Sequence, residues 1–427
     1  MKTIGLIYGN LSLGGIQRGA SFQIPMFQAW GWRVVVMTYR EPTAADYDIA
    51  GIGSRYCIGP EACHAISRAD RLAELLAREH VDVIVHHFAY DAANLREDLL
   101  GAKRAGVPVV VFWHSVFSHF YLRRTQQLQA RALFEACRQA SAMITLTKTD
   151  ECFFRMLGVP ALAIPYSDAD LMTGFRRTEH AKKLLWMGRF IELKRPLDAV
   201  RIFERVLSRH PDAELYMLGV PKEAKLAEDP TAYVASRPAL SRAVHFEGFQ
   251  KNVRPYLEQC GIGLVTSRFE GFCHAVVEMK MAGLPVVAYD MPYLDTLRPG
   301  SGVLTVPQQD MEAAAAAISA LLDDPAECRR QGERARASYE ELASVDQQAA
   351  YGNFFEKLGL GQLDEFRALD PQAARAVADT LVEHVDMALE LMEGTVRDEW
   401  ARCRSYRLGR AVTWPLRMLK RLCTSFR

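Results

Sequence analysis

Two glutamates in the second half of the chain, Glu270 and Glu278, sit in a stretch whose punctuation puts both beside one ligand. The segment Ser267–Glu278 follows an apolar run at Ile262–Thr266 and opens a helical run that stops at Ala282-Gly283-Leu284-Pro285. Gly closing a helix with Pro just beyond is a stop signal. Glu270 is therefore expected in the loop at the carboxyl end of a parallel strand, and Glu278 about two turns into the following helix. At about 1.5 Å per residue the two carboxylates lie roughly 10–12 Å apart, about the length of a nucleotide diphosphate carrying a sugar. Between them Gly271, Phe272, Cys273 and His274 bring backbone N–H groups to the helix start, a ready anion site.

Cations of matching character precede this stretch. Leu184-Leu-Trp-Met-Gly188-Arg189 is a strand ending in Gly and Arg, with Lys194 five residues later and Arg195-Pro196 opening a helix. Fixed cations after the carboxyl end of a strand can hold an anionic ligand, most strongly in a dry cleft. Arg189 can fork onto two oxygens while Lys194 acts as a point charge. In the first half, the very apolar run Val109–Trp113 ends abruptly in His114, a titratable group at the edge of a sheet. The adjacent pair His86-His87 ends another strand. Adjacent strand residues face opposite ways, so they make a poor metal pair: one reaches the cleft and the other packs. The first strand ends in a loop holding Gly14 and Gly15, then a helix. This is not G-x-G-x-x-G, so no dinucleotide fingerprint is read. Taken alone, the paired glycines serve a tight turn or a close backbone approach to phosphate about equally well.

The E-G-F-x-x-x-x-x-E run from Glu270 to Glu278, with its preceding strand and trailing A-G-L-P-V-V, resembles the signature of retaining glycosyltransferases of family 4, which have the GT-B fold. Gly188-Arg189 with Lys194 resembles that family's G-R-x-x-x-x-K-G element, with Arg195 where the family usually has Gly. The resemblance implies that Glu270 binds hydroxyls of a donor sugar, Glu278 binds the nucleotide ribose, and Arg189 and Lys194 neutralise the diphosphate. It puts a functional histidine, His114, near the donor sugar, and lines the cleft near the phosphates with Gly14 and Gly15. The short strand and turn Val244–Gln250 match the family's base-holding element, which implies a place for Phe249 there. No metal is implied and no cofactor, only a nucleotide-diphosphate sugar as co-substrate, a UDP-sugar being the expected one.

The elements that must hold these residues are those of parallel α/β domains, strand-like runs alternating with helical ones. The expected strands fall near Thr3–Tyr8, Arg33–Met37, Val81–His86, Val107–Trp113, Ala142–Leu146 and Ala161–Ile164, then Lys183–Met187, Glu214–Leu218, Val244–Phe246, Ile262–Thr266, Val286–Tyr289 and Gly302–Val306. Helices are expected near Gln309–Leu322, Pro325–Leu342 and Val345–Leu358, the last crossing back onto the first domain as the resemblance implies. With 427 residues the chain exceeds one ordinary core, so two domains are expected. We read residues 1–170 as an acceptor-binding Rossmann-like domain and 181–342 as a nucleotide-sugar-binding one. Residues 343–400 are crossing helices and extension, with the hinge at Pro165–His180. Ligands of open α/β sheets bind outside the carboxyl ends of strands, so both sheets would face one cleft.

Composition narrows the partners. A net charge of +1 gives no global pull toward nucleic acid, and nine scattered cysteines without a C-x-x-C pair argue for a reducing compartment and against structural zinc. Met1–Tyr8 reads as a first strand, too short for a signal peptide. The segment Ala401–Arg427 carries eight Arg or Lys and no acid, interleaved with Leu408, Trp414, Leu419 and Phe426, and reads as an interfacial anchor on anionic lipid. The expectation is a cytoplasmic protein, peripheral on the inner face of the cell membrane. The acceptor would be a cell-surface glycan, a lipid-linked saccharide or a teichoic-acid-like polymer. Two alternatives stand beside this: a GT-B sugar-nucleotide epimerase, and a non-catalytic glycosyltransferase-like partner subunit. The second predicts a broken cation pair or a lost Glu, and neither break is present.

Overall fold

A computed structural model describes residues 2–382, apart from 13–14, 45, 48, 50–51, 53, 60–66, 88–90, 122–123, 167–181 and 220–227. The hinge expected at Pro165–His180 falls almost wholly outside the described residues, and the tail Ala401–Arg427 lies outside them entirely.

The first sheet has seven parallel strands, β1 (Thr3–Tyr8), β2 (Arg33–Thr38), β3 (Ser54–Cys57), β4 (Val83–His86), β5 (Val109–Phe112), β6 (Ala142–Thr145) and β7 (Ala161–Ala163), in the order β3-β2-β1-β4-β5-β6-β7. The second has six, β8 (Lys183–Met187), β9 (Glu214–Leu218), β10 (Val244–Gly248), β11 (Ile262–Val265), β12 (Val286–Tyr289) and β13 (Val303–Val306), in the order β10-β9-β8-β11-β12-β13. Every ladder is parallel. Parallel sheets are covered by helices on both faces, so their central strands read as unbroken apolar runs. Val109–Phe112 and Ile262–Val265 are buried throughout.

The strand order explains what shares the site. β4 lies beside β5 with His86 opposite Val111, so His87, one residue past β4, and His114, two residues past β5, emerge as neighbours. β8 lies beside β11, so the loop after Met187 and the loop after Val265 share one edge.

The carboxyl ends of both sheets meet directly. The backbone N–H of Lys148 donates to Asp295 Oδ2 at 2.9 Å and Thr149 Oγ1 donates to the Tyr293 carbonyl at 3.2 Å. The His119 ring meets Phe269 edge-on at 4.6 Å. After the helix Pro325–Ala343, the helix Gln347–Leu360 crosses back onto the first domain. There Gln23 Nε2 donates to the Tyr351 hydroxyl at 3.1 Å, and the Tyr351 ring packs on Phe27 at 5.2 Å.

Several limits differ from expectation. β3 was not anticipated: Ser54–Cys57 is a half-buried edge strand with no apolar run to announce it. The crossing helix starts at Gln347 rather than Val345, because Asp346 caps it by accepting from the Ala349 N–H. Helical structure in the acidic extension is described only as far as residue 382.

Candidate functional site

The loop bearing Glu270 is tied to the loop bearing Lys194 by bonds that begin at the end of β11. Trp186 Nε1 donates to Thr266 Oγ1 at 3.0 Å, and that hydroxyl reaches the carbonyls of Lys194 and Arg195 at 2.8 and 2.9 Å. The Arg268 N–H donates to the Leu193 carbonyl at 2.9 Å. Gln308 Nε2 reaches the carbonyls of Ser267, Arg268 and Asp290 from the far side. So held, Lys194 Nζ forms an ion pair with Glu270 Oε1, and Ser267 Oγ donates to the same oxygen at 2.6 Å. The Glu270 N–H donates to the Tyr293 hydroxyl at 3.0 Å. The two side chains are 19% and 10% exposed, shielded enough for a charge-assisted bond yet open to a ligand.

At Gly271 the backbones of the two domains come into close contact. A Cβ there would overlap the His114 carbonyl oxygen and come within 3.0 Å of both the His114 carbonyl carbon and Ser115 Cα. Only glycine allows this approach, which sets Glu270 one residue from the backbone of His114. The His114 ring is half-buried, with Nε2 at 2.9 Å from His87 Nδ1 and Nδ1 at 3.4 Å from the Tyr166 hydroxyl. Tyr166 stacks on His114 and also on His274 (centroids 6.0 and 5.1 Å), while Phe272 meets His274 edge-on at 5.3 Å. Burial, and then the neighbouring His274, hold the His114 pKa well below the usual imidazole range. The other histidine of the pair, His86, is enclosed with Asp98 (3.0 Å) and Tyr39 (3.2 Å). Of the pair, then, His87 reaches His114 and His86 packs.

Cys273 adopts a left-handed conformation (φ 61°) as the N-cap of the helix His274–Met281 and supplies no side-chain cap bond to its first amides. This delays the helix start, and Glu278 lies little more than one turn in rather than the two turns expected. Its side chain is half-buried on a helix whose neighbours Val276, Val277 and Met279 are packed inward.

Arg189 is exposed at the end of β8 and makes no ion pair among the described residues. Phe249 is 42% exposed, following Gly248 at the end of β10. The floor between them is flattened by Gly219 (φ +140°), where a Cβ would overlap the Gly188 carbonyl oxygen, and whose N–H donates to the Gly248 carbonyl at 2.7 Å. Arg195 stands in the left-handed region (φ 47°, ψ 57°) as N-cap of the helix Pro196–Arg209, a conformation suited to glycine. Its guanidinium bonds Gln308 Oε1 at 3.2 Å and lies 5.9 Å above the Tyr289 ring. Gly15 opens the helix Gly15–Ala29, whereas Gly14 lies outside the described residues. Ser267, Tyr293, Gln308 and Tyr166 are not among the residues the sequence singles out. Among the described residues no group of three or more His, Cys, Asp or Glu side chains could hold a metal ion.

Comparison with known proteins gives two family matches. Residues 13–164 match the family described as Glycosyltransferase Family 4, and residues 171–338 match Glycosyl transferases group 1. An exopolysaccharide phosphotransferase of Streptomyces coelicolor is 28% identical over 201 residues, 45% of this chain and 21% of that protein. A poly(glycerol-phosphate) alpha-glucosyltransferase of Bacillus subtilis is 26% identical over 159 residues, 36% of this chain and 22% of that protein. The chain spans less than half the length of the curated relatives it matches. Among solved structures, TarM has a TM-score of 0.68 at 11% identity, over 83% of this chain and 99% of its own. HepE of Anabaena, in complex with UDP and glucose, has 0.67 at 15%, over 83% and 100%. At such identities the likeness is one of fold, the GT-B arrangement of two parallel sheets.

Proposed function

The chain belongs to the group 1, family 4 glycosyltransferases, and from that membership we propose that it moves a sugar, with retention, from a nucleotide-diphosphate sugar to a hydroxyl. The observation that carries this reading is the Lys194–Glu270 ion pair beside Gly271 and His114. In a nucleotide sugar one oxygen joins the β-phosphate to the anomeric carbon. The cation that neutralises the phosphate and the acid that accepts from sugar hydroxyls must therefore be neighbours. On donor binding, phosphate oxygens take Lys194 Nζ while sugar hydroxyls donate to Glu270, each charge exchanging one partner for another. Arg189 supplies the second cation, Glu278 the ribose contact, and Phe249 a face for the base.

Transfer then breaks the bond between the anomeric carbon and the phosphate oxygen, and forms one to the acceptor oxygen on the same face. The acceptor proton passes to the departing phosphate. Arg189 and Lys194 stabilise the charge that develops there, the step at which fixed cations count most. UDP is the nucleotide we assign, supported by the UDP complex of the Anabaena neighbour. The acceptor we assign is an envelope polymer or lipid-linked saccharide, supported by the poly(glycerol-phosphate) glucosyltransferase and exopolysaccharide relatives. No helix among the described residues is long and apolar enough to cross a membrane. We assign the basic segment Ala401–Arg427 to the anionic inner face of the membrane, on its composition.

A thermal-shift panel of nucleoside diphosphates and their sugars tests the reading, because a ligand that binds only the folded protein raises its melting temperature. UDP and at least one UDP-sugar should raise it, and Glu278→Ala should weaken the shift. No response to any member of the panel refutes the proposal.

A further inference from the structure

We infer that His87 is a positioning residue that fixes His114 as its Nδ1–H tautomer, so that the cleft offers a hydrogen-bond donor and demands an acceptor oxygen of the sugar substrate there. This rests on the reading above only in naming the sugar; the tautomer itself follows from the geometry.

His87 leaves the end of β4 with its backbone N–H donating to the Ile7 carbonyl at 2.7 Å. Its ring is buried, stacked on Tyr8 (centroids 4.3 Å, planes 12° apart) and tilted against Phe112 at 5.0 Å. Nδ1 lies 2.9 Å from His114 Nε2, and among the described residues this is the one polar contact the ring makes, Nε2 being buried without a hydrogen-bond partner. Turning the ring over would keep the stack but set a C–H in place of Nδ1 against His114 Nε2, and the contact would be lost.

Both rings are neutral near pH 7. Burial, then His114 and His86, hold the His87 pKa low, and burial with His274 does the same for His114. Among the described residues, the further groups packed against the pair include Tyr8 from β1, Phe112 from β5, Tyr166 after β7, and Gly271 and Phe272 from the second domain. None of these bears a charge at neutral pH.

A 2.9 Å contact between two neutral imidazole nitrogens holds one proton. If His114 Nε2 carried it, His87 would be protonated at its own Nε2, leaving a buried N–H with no acceptor. If His87 Nδ1 carries it, only a lone pair at Nε2 is left bare. Orphaned buried N–H groups are the rarer fault in folded proteins, which selects the second arrangement. His87 then donates, the His114 Nε2 lone pair is used up, and the His114 proton resides on Nδ1. That atom faces the Tyr166 hydroxyl at 3.4 Å, a long contact that a substrate oxygen can displace. In this state His114 has no free lone pair, so it acts as a hydrogen-bond donor and not as a base.

The test is a long-range proton–nitrogen spectrum of the full chain labelled with 15N-histidine, near neutral pH. The inference predicts a protonated Nδ1 and a bare Nε2 for His114. His87→Phe keeps the stack on Tyr8 but donates nothing. It should release His114 to the other tautomer or a mixture, and lower kcat about tenfold, the worth of one hydrogen bond, with little change in KM. His87→Asn, whose side-chain amide can donate to His114 Nε2, should restore both spectrum and turnover; loss of packing alone would not be rescued this way. An Nε2–H signature for His114 in the unaltered protein overturns the inference, as does a His87→Phe protein with unchanged spectrum and turnover. The spectrum needs no substrate. Failure of donor binding would therefore strike the proposed function and leave the tautomer assignment standing.

Discussion

Gly271→Ala is the substitution whose consequence can be worked furthest. Gly271 is not among the residues of positive φ, so alanine costs nothing in backbone conformation, and its effect comes from the added methyl alone. That methyl would overlap the His114 carbonyl oxygen and stand 3.0 Å from two backbone carbons, none of which can swing away as a flexible side chain would. Restoring ordinary carbon–carbon contact near 3.5 Å moves the loops apart by roughly 0.5–1 Å. Misplacing reacting groups by about 1 Å can cost a rate factor of about 100. We expect kcat for transfer to fall about 30- to 100-fold. Nucleotide affinity should stay within about threefold, because Arg189, Lys194 and Glu278 all belong to the second domain and move together. Overpacking costs about 1–3 kcal/mol of stability, a lower melting temperature but a folded protein. The assay is donor turnover, with the UDP thermal shift as the binding control. A variant turning over at the unaltered rate would mean that the domains do not meet at Gly271 in the working enzyme, and would refute the reasoning.

Other outcomes follow from neighbouring contacts. Lys194→Ala removes the Glu270 partner and, on the proposed function, a phosphate cation, and should lower transfer by about 100-fold or more, as loss of one transition-state contact does; activity within tenfold would contradict the assignment. Lys280 is buried, donating to the Thr296 carbonyl, Ser301 Oγ and Ser338 Oγ at 2.6–3.1 Å, and burial lowers its pKa from 10.5 to about 8. The unfolded chain then holds the proton that the folded one releases, so stability rises with pH from about 8 to 10.5, by about 3 kcal/mol in all; Lys280→Met should erase that rise in denaturant titrations. Arg195→Gly and Arg195→Ala lose the same side-chain contacts, but only glycine is at ease at φ 47°, so the glycine variant should be the more stable by about 1 kcal/mol. Removing residues 401–427 should abolish sedimentation with anionic vesicles and leave donor hydrolysis intact; unchanged sedimentation ends the anchor proposal.

The layers of the fold were legible because parallel strands buried on both faces read as short apolar runs closed by Gly, Pro or an abrupt polar residue. Val109–Phe112 before His114 and Ile262–Val265 before the Glu270 loop are of this kind. β3 escaped because an edge strand need not be apolar. The site was legible where chemistry lies close in the sequence, as with Gly188, Arg189 and Lys194. It was not legible where strand order makes neighbours. The Lys194–Glu270 pair and the His87–His114 pair join residues far apart in the chain, brought together because β8 lies beside β11 and β4 beside β5. The depth of Glu278 in its helix was misjudged because nothing in the residue type of Cys273 announces a left-handed cap. Arg195 gave a clue that gained meaning only from the backbone: the position favours glycine because it is left-handed, and arginine is accommodated there by Gln308 and Tyr289.

The most direct test of the account is a crystal structure of the full chain with UDP. Diphosphate oxygens should lie within hydrogen-bond distance of Arg189 and Lys194 Nζ, a ribose hydroxyl on Glu278, and the uracil beside Phe249, with the β-phosphate pointing toward Glu270 and His114. A nucleotide bound elsewhere, or in the cleft but away from Lys194 and Glu278, would contradict it.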